Sequence, residues 1–153
     1  LSAAASTPVW SRLASRFGEK PVLLAGMLLA VLSFACAATL GAGDVLFFAA
    51  ICAASGAALG ADMTLLPAIF ARRLSVIAPG AGAGFGLWSF VTKLTLAIAA
   101  GVLLPLLEAK GFVSGGANPE GALVLLTILY AIIPCVLKLV AIGLLLVTPI
   151  PES

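Results

Sequence analysis

Residues 84–107 read GFGLWSFVTKLTLAIAAGVLLPLL, a run in which one lysine, Lys93, is surrounded by mostly apolar residues. A helix of about 20 apolar residues crosses the ~30 Å hydrocarbon layer of a bilayer. This run is long enough to do so. An ammonium group near the bilayer centre costs roughly 2.5–3.5 kcal/mol on insertion scales. Lys93 therefore predicts a cavity or an acidic partner that compensates its charge.

Three further apolar runs have the length of a membrane span, at residues 21–40, 45–66 and 122–147. All are continuous and rich in Leu and Ala, without the alternation of barrel strands, so helices are favoured. Together with 84–107 they predict an all-α membrane protein with four full transmembrane helices. Residues 1–9 are too short to span, and with Trp10 placed at the interface they are interpreted as a truncated fifth helix.

The composition excludes several classes of protein. Hydrophobic residues make up 63% of the chain and charged residues 9%, whereas soluble domains are about half apolar and a quarter charged. The net charge of +2 and the lack of a basic cluster argue against a nucleic-acid partner. The chain contains no histidine, and no nucleophile–base pair or metal-ligand cluster is evident. We therefore expect neither an enzyme nor a metal site.

The basic residues orient the predicted helices. Lys110 is on one side, and five basic residues are in the loops of the other side: Arg12, Arg16, Lys20, Arg72 and Arg73. Short loops rich in Lys and Arg face the cytoplasm. The arginine-bearing loops and the C-terminus are therefore predicted to be cytoplasmic. The expected location of this multi-pass protein is the bacterial inner membrane.

Two predicted helix faces are rich in small residues. On the third span Ser89, Lys93 and Ala97 share one face at helical spacing, which suits the lining of a cavity. A stripe of small residues on the second span favours close helix packing. Its members are Ala49, Ala53, Gly56 and Gly60.

Four motifs follow one another in the chain. They are TPVWSRL at 7–13, RFGEK at 16–20, GAD at 60–62 and GFGLWSFVTKL at 84–94, and Tyr130, Pro134 and Lys138 continue the pattern. In this order they resemble the glycoside–pentoside–hexuronide:cation symporters, the melibiose-permease type of major facilitator. The resemblance implies the end of helix eight through helix twelve of a twelve-helix fold. Its partners would be the lipid bilayer and an N-terminal six-helix half.

The resemblance also implies a function. It predicts symport of a sugar or glycoside with Na⁺ or H⁺ by alternating access. No cofactor is expected beyond the coupling cation, whose acidic ligands would lie mainly in the N-terminal half. Two alternatives remain open, a lysolipid carrier of the same family and a membrane scaffold that does not transport.

Individual residues acquire expected roles from this resemblance. Lys93 would face a cavity and pair with carboxylates of the N-terminal half near the cation site. Asp62, predicted at the cytoplasmic end of its span, is either a gating contact or a carboxylate that is solvated or paired with Arg72 or Arg73. Lys138 is predicted to extend to the cytoplasmic interface.

The remaining candidates each have two interpretations. Arg12, Arg16 and Lys20 either form an inner gate with acidic groups or simply set the topology. Trp88 either stacks on a sugar ring or belongs to an interfacial aromatic belt. The glycine-rich run at 80–86 lacks a preceding strand and the spacing of a nucleotide loop, so a flexible cytoplasmic linker is predicted.

The first prediction concerns Lys93. In the complete transporter, Lys93→Ala should reduce cation-coupled solute uptake at unchanged expression, because the replacement removes the charge that the cavity compensates. Uptake into cells, normalised to the amount of protein in the membrane, measures the effect. Wild-type uptake by the variant would contradict the predicted role.

Overall fold

The computed structural model describes residues 1–37, 39–40, 44–77, 82–113, 116 and 118–148. Within these ranges the regular structure is entirely helical. The helices are α1 (Ser2–Phe17), α2 (Glu19–Ala37), α3 (Val45–Ile77), α4 (Gly82–Ala109), α5 (Glu120–Thr127) and α6 (Ile133–Val147). A π-helical segment, Ile128–Ile132, joins α5 to α6 without a break.

Four helical stretches are long and apolar enough to cross a membrane: Glu19–Ala37, Val45–Ile77, Gly82–Ala109 and Glu120–Val147. Inside a bilayer every backbone polar group needs a partner within the protein, and a continuous helix supplies one for nearly all of them. The predicted fold class, all-α with four full spanning helices, is confirmed. The chain is an integral, multi-pass membrane protein.

Helix α1 is longer than the predicted truncated helix at 1–9. It continues through Pro8 to Phe17, and Gly18 follows with a φ of 89°, a conformation that glycine adopts readily. Arg12 and Arg16 therefore lie on a helix and not in a loop. The Trp10 indole N–H donates to the Ala57 carbonyl of α3 at 2.8 Å, so this tryptophan joins two helices. The interfacial position of Trp10 stays a prediction.

Helix α3 is also longer than predicted. It passes through Pro67 and ends at Ile77, eleven residues beyond the predicted end of the span. Proline is tolerated in transmembrane helices because neighbouring groups satisfy the carbonyl that it leaves without a donor. Arg72 and Arg73 are therefore helical, in contrast to the predicted loop.

The π-helical segment has a local cause in the sequence. Pro134 has no N–H, and its ring clashes with the carbonyl of the residue four positions earlier, Tyr130. The wider turn at Ile128–Ile132 contains that residue, and it accommodates the proline without breaking the helix. A single continuous stretch from Glu120 to Val147 results.

The structure divides into two units. The first comprises Leu1–Ala71 and Tyr130–Ser153, and the second comprises Arg72–Leu129. The core of the first unit surrounds Leu23, which is completely buried. The buried members of this core come from α2 and α3: Val22, Leu23, Met27, Ala61, Leu65 and Ile69. Partly buried residues of α1, α3 and α6 pack against them: Trp10, Leu13, Ala14, Leu66, Ala141, Ile142 and Leu145.

Small residues bring α1 and α3 together, as the glycine stripe of the sequence predicts. A Cβ atom added at Gly60 would lie 2.7 Å from the Ala3 carbonyl oxygen, and one added at Gly56 would meet the Ser2 side chain. The Ser6 hydroxyl donates to Ala57 O at 3.3 Å. For Gly56 and Gly60 the predicted close helix packing is confirmed.

Helices α2 and α6 pack along most of their length. The rings of Phe34 and Tyr130 meet edge to face at 5.9 Å. One turn further, the Cys135 thiol donates to the Val31 carbonyl at 3.6 Å. Residue numbers fall along α2 while those of their contact partners rise toward and along α6, so the two helices are antiparallel.

In the second unit α4 packs against α5, and Gly84 of α4 approaches the Leu74 side chain. Gly111, with a φ of 73°, follows the end of α4. Asn118 organises the next turn, because its Nδ2 donates to the carbonyls of Val113 and Gly116 at 3.0 Å each. The predicted linker at 80–86 is helical from Gly82 onward, and its first two residues lie outside the described ranges.

A pair of glycine variants tests the α1–α3 contact. Gly60→Ala should destabilise the protein by about 1–3 kcal/mol, because the new methyl group meets the backbone of Ala3. Gly143→Ala is the matched control in α6, where an added Cβ meets nothing within 4 Å and the loss of a helical glycine stabilises by up to about 1 kcal/mol. Thermal unfolding in detergent compares the two. Equal melting temperatures would contradict the close approach.

Candidate functional site

An ion pair joins α3 to α6 in the interior of the first unit. The Lys138 ammonium group donates to Oδ2 of Asp62. The side chain of Lys138 is 20% exposed and that of Asp62 is 16% exposed, so the pair is mostly buried. Both residues lie in helices that are apolar enough to span the membrane.

Helical spacing places each partner on the packed side of its helix. On α3 the buried residues Ala58 and Leu65 lie one turn before and after Asp62. On α6 the residues three and four positions after Lys138 are Ala141 and Ile142, which pack on the core. The charges therefore face the protein interior. A carboxylate and an ammonium group in such surroundings are tolerated when each compensates the other.

Both partners lie well inside their helices. Lys138 is nine residues before the end of α6 at Val147, roughly 14 Å along the axis. Asp62 is 17 residues after Val45 and 15 before Ile77, so it lies roughly 22–26 Å from either end of α3. Charged residues within spanning helices are rare and usually functional.

The structure differs from one prediction about these residues. Lys138 does not extend to the interface, because its ammonium group bonds a carboxylate of a neighbouring helix, which compensates its charge. Helix α3 continues for 15 residues beyond Asp62, and the place of Asp62 at the cytoplasmic end of its membrane span stays a prediction.

The two oxygens of Asp62 differ. Oδ2 accepts from Lys138, whereas Oδ1 is buried and receives no hydrogen bond from the described residues. A carboxylate that is stabilised at both oxygens has lower free energy than one bonded at a single oxygen. The pair is therefore an incompletely satisfied polar contact.

Lys93 is 11 residues into α4 and is exposed, and no residue of that helix is buried. Its ammonium group makes no hydrogen bond or ion pair with the described residues. Asp62 belongs to the other unit. The charge of Lys93 is thus presented at a helix surface in the middle of an apolar span.

Three candidate residues accompany Lys93 on α4. Ser89 and Ala97 lie one turn before and after it and are exposed, and Trp88 is half-buried. The Thr92 hydroxyl bonds the Trp88 carbonyl at 2.8 Å within the helix. The face carries a small hydroxyl residue, a small apolar residue and a lysine, all exposed.

The arginines lie at the helix ends nearest the predicted cytoplasmic side. Arg12 and Arg16 are exposed on α1, and the Arg16 guanidinium lies 5.4 Å from the ring centroid of Phe17. Arg72 is exposed and Arg73 is half-buried on the last turns of α3.

Lys20 has a partner that the sequence did not indicate. Its ammonium group donates to the carbonyls of Leu146 and Thr148, at 3.3 and 3.0 Å. The last carbonyls of a helix lack donors within the helix, and a cation near them is favourable. Lys20 of α2 therefore caps α6, which ends without a basic residue of its own.

The described residues contain no group of three His, Cys, Asp or Glu side chains placed to hold a metal ion.

Comparisons with known proteins agree with this description. Residues 1–152 match the model of a family described as MFS/sugar transport protein. The chain is also similar to the efflux pump dotC of Dothistroma septosporum and to that of its strain NZE10 / CBS 128990. Each is 37% identical over 97 residues, which is 61% of this chain and 16% of the relative. The matched stretch thus spans about a sixth of either relative. No solved structure matches the chain.

Removal of the Lys20 cap tests its contribution. Lys20→Met should lower the stability by about 0.5–1.5 kcal/mol, because the α6 carbonyls lose a charged donor. The control is Lys110→Met, an exposed lysine whose side chain bonds none of the described residues. Thermal unfolding of the two purified variants gives the comparison, and a shift no larger than that of the control would contradict the cap.

Proposed function

This chain belongs to the MFS/sugar transport protein family, and we propose that it forms part of a secondary active transporter that moves a sugar-like solute together with Na⁺ or H⁺. Transporters of this fold operate by alternating access, in which two helical halves rock about a site near the membrane midplane. The described helices would supply one wall of that site.

The observation that carries the proposal is the placement of Lys93. The ammonium group lies near the middle of a helix that is otherwise apolar, and it is exposed on a face with Ser89 and Ala97. Intramembrane lysines face a water-filled cavity or an acidic partner, because hydrocarbon does not stabilise the charge. A transport pathway provides both. Trp88 at the edge of this face has the flat apolar surface on which a sugar ring stacks.

The coupling cation would be bound mainly by carboxylates of another part of the transporter, the N-terminal six-helix half. In this arrangement Lys93 competes with the cation for those carboxylates, because both are positive. Binding of the cation would displace Lys93 and change the charge that the solute meets. The other partners are the lipid bilayer and the solute itself.

A second candidate is export in place of uptake. The similarity to efflux pumps supports it, as does the large apolar surface of α4, on which Leu87, Phe90 and Leu96 are at least 61% exposed. An apolar solute would suit such a surface better than a sugar does. The two candidates differ in the direction of transport and in the polarity of the solute.

Reconstitution of the complete transporter tests the proposal. Proteoliposomes with an inward Na⁺ or H⁺ gradient should accumulate a labelled sugar or glycoside, and an ionophore that dissipates the gradient should abolish the accumulation. Liposomes without protein are the control. Extrusion of an apolar dye with no sugar uptake would favour the efflux candidate, and the absence of any gradient-dependent flux would overturn both.

A further inference from the structure

The Asp62–Lys138 pair has three properties that a purely structural contact does not need. It lies within two spanning helices, it leaves one carboxylate oxygen buried without a donor among the described residues, and its lysine follows the π-helical segment by six residues. Each property has a bearing on function.

A contribution to stability does not by itself explain why a charged pair lies between these two helices. Moving two charges out of water is costly, and apolar residues of similar volume often serve the folded state as well or better. Neighbouring positions on both helices are apolar: Ala58, Ala61 and Leu65 on α3, with Ala141, Ile142 and Leu145 on α6. Apolar residues could therefore pack at these two positions as well, and we infer that the charged pair has a role besides packing.

Only one of the two carboxylate oxygens of Asp62 is bonded to Lys138. Lys138 bonds Oδ2, and Oδ1 has no donor among the described residues. The pair is therefore held by one charged hydrogen bond. Loss of this bond removes the polar contact between the two helices, while the apolar packing around it remains.

The π-helical segment lies immediately before this part of α6. It ends at Ile132, two residues before Pro134 and six before Lys138. Short π-helical turns are frequent at functional sites, and they mark places where the hydrogen-bond ladder is altered. Within the π-helical segment the Tyr130 ring packs on Phe34 of α2. Three residues after the segment, the Cys135 thiol donates to the Val31 carbonyl of α2. A shift of α6 relative to α3 would be absorbed here.

From these observations we propose that Asp62 and Lys138 are a positioning pair for transport. Their contact sets α6 against α3 in one conformation of the cycle and opens in another. Neither residue is assigned contact with the solute or the cation. The inference rests on the proposed transport function and adds to it two residues that act through the position of a helix.

Charge replacement in the complete transporter tests the pair. Asp62→Asn and Lys138→Met each leave one charge buried without its partner, so each should lower both the melting temperature and the rate of solute uptake, the latter by about tenfold or more. The double replacement D62N/K138M removes both charges and should restore the melting temperature to within a few degrees of wild type, because coupled residues are not additive.

Transport separates a positioning role from a structural one. In D62N/K138M we expect the maximal uptake rate to stay about tenfold below wild type at an unchanged KM, because the conformational step has lost its contact while the solute site is intact. The exchanged pair D62K/K138D keeps the contact with reversed polarity and should recover part of the rate. The control E108Q/K110M removes one charge of each sign from exposed positions and should transport at the wild-type rate.

Each outcome has a definite meaning. A doubly neutral variant that transports at the wild-type rate would overturn the positioning role, and so would additive losses of melting temperature in the two single variants. A wild-type protein that carries no solute under any gradient would instead overturn the proposed transport function. The two failures are therefore distinguishable.

Discussion

A hydrocarbon layer offers no partner to a charge, and this constraint explains why Lys138 and Asp62 meet. Each lies deep in an apolar helix, where either one alone would be strongly disfavoured. Joined to each other, they are accommodated between α3 and α6 while the surrounding contacts remain apolar. The ion pair thereby adds a specific polar contact between α3 and α6 to the packing of α6 on α2.

Contacts with backbone atoms also hold the helices of the first unit together. Gly60 permits α1 to approach α3, and the Trp10 indole then bonds the Ala57 carbonyl. On the other side Lys20 bonds the end of α6. In lipid, helix association depends on close packing and polar contacts, because lipid tails are as apolar as the helices. The first unit uses both means, whereas α4 has no buried residue and a lysine at its surface.

The sequence was sufficient for the fold class and insufficient for the ion pair, for a physical reason. Apolar runs of spanning length leave the chain few alternatives to membrane helices, so the four spans were predictable. The end of helix α3 was not predictable, because Pro67 follows the predicted end of the apolar run and the helix continues through it. Asp62 and Lys138 are 76 positions apart, and periodicity within one helix carries no information about the face of another. For the same reason the sequence did not indicate the partner of Lys20.

The antiparallel contact of α2 and α6 has a consequence for topology. Since Lys20 touches Leu146 and Thr148 while Phe34 touches Tyr130, the first turn of α2 and the last turn of α6 are level with each other. A polypeptide that enters and leaves a membrane at the same surface has traversed it an even number of times. The four spanning stretches satisfy this parity. A single hydrogen-bonded lysine thus provides a check on the count of traversals that does not depend on hydropathy.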